Sequence, residues 1–151
     1  LFHVNKIPPH LGLVSDSKYF SLTATESQIN VDIDSIWRVI RSKSIETIFI
    51  KVDVLPMASQ LAAIFGEYKK AVNKEFTCLQ PIKDFFEYQC DWNVEDVNFI
   101  FDLIHKLKEK SMIVQNYHLN LDRHLKNGSF ELLNYTLDDI YKRIMEIQHA
   151  S

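Results

Sequence analysis

An α+β fold is what the sequence predicts, and three observations predict it. Before Pro56 the apolar residues fall in short runs with a period of two, whereas after it they recur at helical spacing. Only three glycines and four prolines occur, so element interiors should be largely unbroken and loops short. Of the 151 residues, 46% are hydrophobic and 25% charged, and ten Phe, six Tyr and two Trp supply bulk for a core. The expected arrangement is a small antiparallel sheet in the N-terminal third packed against helices, followed by an all-helical C-terminal half. One α+β domain should cover residues 1–151, with a sheet-plus-helix part to about residue 90 and a helical tail from about 91.

Taken in order, the first nine residues end in Pro8-Pro9, which force an extended path and cannot donate to a central ladder. His10-Leu11-Gly12-Leu13-Val14 and Tyr19-Phe20-Ser21-Leu22-Thr23 then read as two strands joined by the polar turn Ser15-Asp16-Ser17-Lys18, a β-hairpin. Alternation sets His10, Gly12 and Val14 on one face. A glycine in mid-strand marks a close approach or a bulge. Residues 25–30 are polar and read as a loop. Asp32 can cap a short helix through Ile33, Ile36, Trp37 and Ile40. Residues 47–52 are β-branched and aromatic, and form the third strand of the same sheet.

Pro56 opens a helix with Leu61, Ile64, Phe65 and Tyr68 on one face, ending near Asn73. Thr77 caps the next helix, with Gln80 placed to close a capping box and Ile82, Phe85 and Phe86 as its apolar stripe. Asn93 caps another, carrying Val97, Ile100, Phe101, Ile104 and Leu107, with Glu95 and Asp96 in its first turn. Asn127-Gly128 is a turn. Thr136 caps the last helix, with Ile140, Ile144 and Ile147 inward and Asp138-Asp139 complementing the dipole.

The net charge of -3 and the scatter of the seventeen basic residues give no electrostatic case for nucleic acid or an anionic membrane. No apolar run approaches the roughly 20 residues of a membrane-spanning helix, and the residues given show no basic leader followed by an apolar core and a cleavage site. The histidines lack zinc-ligand spacing, and there is no phosphate-cradling glycine loop, so neither a metal nor an organic cofactor is implied. Cys78 and Cys90 would sit about 18 Å apart along one helix, beyond the roughly 7 Å a disulfide spans. Two free thiols fit a reducing, cytoplasmic compartment.

Cys78 and His10 are the residues with chemistry to offer. A thiol at the first position of a capped helix is favoured as the anion, which predicts a pKa below the usual value of about 8.5. Cys90, at the opposite end of the helix, lacks that advantage. A thiolate nucleophile needs a base, and a strand histidine can supply it. The bland reading stands beside this one: a free cysteine is among the most buried residue types and behaves as a small hydrophobe.

The order of a strand His, a short turn, a Tyr-led strand and a later Cys at a helix start resembles the circularly permuted papain-like proteins typified by lecithin:retinol acyltransferase. His10 within His10-Leu11-Gly12-Leu13-Val14, then Tyr19-Phe20-Ser21-Leu22, then Thr77-Cys78-Leu79-Gln80-Pro81 carry the likeness, which spans about residues 7–88. Thr77 stands where Asn is usual in that family, and Pro81 where an aromatic is usual. The resemblance implies Cys78 as nucleophile and His10 as base, with Ser21 or Thr23 orienting the imidazole in place of a second His. It also implies a peptide-like or acyl substrate, a peptide or cell-wall peptide ahead of a lipid. The alternative from a different class is a non-catalytic module whose helical C-terminal half meets a protein partner.

Overall fold

The computed structural model describes residues 1–54 and 56–150. In chain order the elements are β1 (Leu13–Ser15), β2 (Lys18–Leu22), β3 (Ser27–Asp32), α1 (Ile33–Ser42), β4 (Thr47–Val52), α2 (Ala58–Gly66), α3 (Gln80–Cys90), α4 (Ile100–Glu109), β5 (Ile113–Leu119) and α5 (Leu137–Ala150). The class is α+β.

The hairpin forms as its sequence dictates, but with a tighter turn. Ser15 pairs with Lys18, and Asp16 and Ser17 alone make the loop, both at positive φ (49° and 60°). Two left-handed central residues give the turn whose twist matches that of the flanking strands. The Asp16 carboxylate also accepts the Ala58 backbone N–H at 3.0 Å, tying the turn to the start of α2.

Residues 27–30, read as part of a polar loop, belong instead to β3, which pairs with β2 as a third strand. Their polarity reflects their place: β3 is an edge strand, and none of its residues is fully buried. The pairing slips by one residue opposite Phe20, where Asn30 takes φ +58° and the strand bulges.

A single N-terminal sheet does not form. β4 leaves β1 and β2 alone and pairs antiparallel with β5, so the molecule has a three-stranded sheet in the order β1-β2-β3 and a two-stranded sheet of β4 and β5. Phe2 bridges both His10 and Thr47, so the first residues join the histidine's backbone to β4. β5 also overturns the all-helical C-terminal half. Its middle five residues are exposed, so no buried face imposed alternation on its sequence, and β4 supplies the pairing that makes it a strand.

Helix starts shift for local reasons. Asn93 accepts the Glu95 N–H at 2.9 Å and makes only a turn; α4 begins seven residues later, where the Asp102 carboxylate receives the Phe99 N–H at 2.8 Å. Asp96 therefore lies outside the helix and meets Lys106 at 2.5 Å. α2 stops at Gly66 rather than near Asn73. By contrast α5 starts with the reciprocal pair its sequence announces, Thr136 N–H to Asp139 at 2.8 Å and Asp139 N–H to the Thr136 hydroxyl at 3.3 Å.

β2 contributes to two clusters of buried side chains. Phe20 belongs to the larger, with Leu61, Phe65, Ile82, Phe85 and Phe86, while Leu22 joins Ala71, Tyr135, Ile140 and Ile144 in the smaller. Gly12 is where a close approach is required. A Cβ there would lie 2.4 Å from Tyr19 Cε2 and 2.6 Å from its hydroxyl, and Tyr19 is only 2% exposed. Gly12→Ala should therefore lower stability by about 1–3 kcal/mol in urea unfolding, the range for overpacking. Gly66→Ala, whose added carbon meets nothing within 4 Å, is the control that should cost nothing. Equal midpoints for the two variants would show that the ring yields freely.

Candidate functional site

The cavity begins with the polypeptide path around His10. Phe2 and His10 exchange backbone hydrogen bonds at 2.8 and 2.9 Å, which fixes the two side chains beside each other. Their rings stack at 6.2 Å, and Phe2 meets Tyr19 edge-on at 5.6 Å. Tyr19 can sit there because Gly12 offers no side chain. The imidazole is thus held through aromatic contact, and among the described residues no hydrogen bond reaches its ring nitrogens.

Cys78 arrives in the turn before α3. Thr77 does not cap the helix: its hydroxyl accepts the Leu79 N–H at 3.3 Å within the preceding turn, Leu79 takes the N-cap position, and regular helix starts at Gln80. Gln80 does not close a capping box; its amide donates to Asp84 at 2.9 Å, where Asp84 also accepts the Tyr68 hydroxyl. Cys78 therefore precedes the helix instead of opening it.

Cys78, His10 and Thr23 line one cavity of about 840 Å³, together with Tyr19, Thr77 and Gln28. Ser21 does not line it. That hydroxyl is fully buried and donates to the Gln28 side-chain oxygen at 3.0 Å. The Thr23 hydroxyl is engaged in its own turn, accepting the Glu26 N–H at 3.0 Å and donating to the Glu26 carbonyl at 2.9 Å. Neither hydroxyl holds the His10 ring, so the orienting role assigned to them passes to the Phe2 stack.

Burial sets the charge state of the pair. It holds the His10 imidazole down at about 4, so the ring is neutral at physiological pH. It pushes the Cys78 thiol up, against the backbone N–H of Leu11, which favours the anion. This reverses the expectation of an acidic thiol. The helix dipole is worth about 0.3–1 kcal/mol at its terminus, whereas desolvating an ion costs several. Cys90 is also raised by burial, with Lys110 opposing. Both cysteines are free.

Sequence reasoning named Tyr19 only as the head of a strand and missed Phe2 and Gln28. The signal for Tyr19 was Gly12: extending the Leu13–Phe20 pairing by one residue makes Tyr19 the diagonal cross-strand neighbour of the glycine. Among the described residues, no group of three or more His, Cys, Asp or Glu is gathered for a metal ion, and no helix is long and apolar enough to cross a membrane. Comparisons with protein-family models, with curated proteins and with solved structures find nothing that matches this chain.

The histidine carries a pH consequence. Its native pKa lies below the ordinary 6.5, so between about pH 4 and 6.5 the unfolded chain binds a proton that the native chain does not. Stability contributed by neutral His10 is full above 6.5 and declines as pH falls toward 4. His10→Gln should reduce the slope of unfolding free energy across that window, while His3 and the Leu1 amino group, both held low in the same direction, keep their own shares. An unchanged slope in urea titrations at pH 4.5 and 6.5 would place His10 in water.

Proposed function

We propose that this chain is a cysteine-dependent hydrolase or acyltransferase acting on amide or ester bonds, with Cys78 as nucleophile and His10 as base. The observation that supports it is the shared cavity: two residues from distant parts of the chain, of the two types such chemistry requires, line the same space. The resemblance to the permuted papain-like proteins points the same way.

The charge states define how the step runs. A neutral imidazole is ready to accept a proton, while the thiol, kept protonated by burial, holds no resting thiolate. The proton therefore passes from sulfur to His10 as the sulfur attacks the carbonyl carbon, and the Leu11 N–H supports the charge that grows on sulfur. The imidazolium then gives its proton to the departing amine or alcohol. Water or a second acceptor attacks the resulting thioester, His10 takes its proton, and Cys78 leaves as the thiol. Ser21 supports this wall indirectly, through Gln28. The substrate class is a peptide-like amide or an acyl ester, and the reaction uses no metal or organic cofactor.

A second reading, a non-catalytic module that meets a protein partner, is favoured by a different observation. Leu137 and Met145 of α5, and Val114 and Tyr117 of β5, are large apolar side chains left exposed.

The two readings part on reaction with 4-nitrophenyl acetate. The enzyme reading expects release of nitrophenolate and an acetyl group on the peptide carrying Cys78, with His10→Ala slowing release by about 10²–10⁴-fold. Acetylation confined to Cys90, or Cys78→Ser reacting at the parent rate, would leave the interaction module as the better account.

A further inference from the structure

The cavity wall is of two kinds. One part is aliphatic, with Leu22 from β2, Ile36 and Ile40 from α1, and Ile140 and Ile144 from α5. All but Ile36 are buried. The other part, formed by residues 3–10 and α5, is polar and cationic: His3, Lys6, His10 and Arg143. Glu146 is the acidic lining residue and pairs with Arg143 at 3.2 Å, but both side chains are about half exposed, and such pairs hold weakly. Among the described residues no carboxylate pairs with Lys6.

We propose that this cavity binds an amphiphile with a single long aliphatic tail and a carboxylate head, the tail against the aliphatic wall and the head at Lys6 and Arg143. A volume of about 840 Å³ lies within the usual range of ligand sites. A cationic rim on an apolar slot favours an anionic head over a neutral one. The neutral imidazoles of His3 and His10 add hydrogen-bonding groups beside that head. Binding shares the cavity with the acyl chemistry proposed above but does not depend on it, so it is measured on the parent chain and on Cys78→Ala alike.

Calorimetric titration with octanoate, decanoate and dodecanoate, each below its micellar concentration, tests the assignment. One site per chain is expected in both proteins, with affinity rising by up to about fourfold per added methylene as the tail is buried. Changing both exposed cations, Lys6→Gln with Arg143→Gln, should weaken decanoate about three- to tenfold and leave decanol unaffected. A second variant, Ile144→Trp, should abolish binding by filling the slot, with circular dichroism confirming its fold. No binding to the parent chain, affinity independent of tail length, or equal losses for decanoate and decanol in the charge variant would each overturn the proposal. Loss of Cys78 acetylation with carboxylate binding intact would instead count against the catalytic reading alone.

Discussion

Tyr19 lies flat against a backbone that has no side chain to resist it, and the site is built outward from that contact. A Cβ at Gly12 would require the phenol to shift, and Tyr19 is almost completely enclosed. Phe2 rests edge-on against the phenol, His10 stacks on Phe2, and the backbone bonds between Phe2 and His10 lock the pair. The same Phe2 bridges Thr47 of β4, so the stack also joins the two sheets. The imidazole is held by shape and dispersion, and among the described residues no carboxylate or carbonyl meets its ring nitrogens.

That arrangement has an electrostatic price. Burial among aromatic and aliphatic neighbours drives both members of the pair to their neutral forms. On the proposed reading, a thiol–imidazole pair of this kind is quiet at rest and becomes polar only as a substrate carbonyl accepts the sulfur, and the aliphatic and cationic parts of the same cavity wall select what reaches it.

Much of this architecture was legible because it is local. The hairpin, the Thr136–Asp139 cap of α5, the Asn127-Gly128 turn with both residues at positive φ, and the strand at 47–52 each follow from residues within a few positions of one another. β3 and β5 were not legible, because exposed strands carry no alternation and are defined by partners elsewhere in the chain. Asn93 shows a competing local solution: its side chain closes a turn that a cap would have extended into a helix. His10 and Cys78 could be chosen by residue type. Their charge states could not, since desolvation depends on Phe2, Tyr19 and the helices α1 and α5, which sequence alone does not bring to the cavity.

The central claim is that Cys78 and the Phe2-supported His10 face one another across a common space. It is tested most directly by alkylating Cys78 with ¹³C-labelled iodoacetamide in a Cys90→Ser background and recording nuclear Overhauser contacts from the labelled methylene. Contacts to the ring protons of His10 and Tyr19 are the predicted result. A labelled group that shows contacts to α3 and Thr77 but none to either ring would contradict the account.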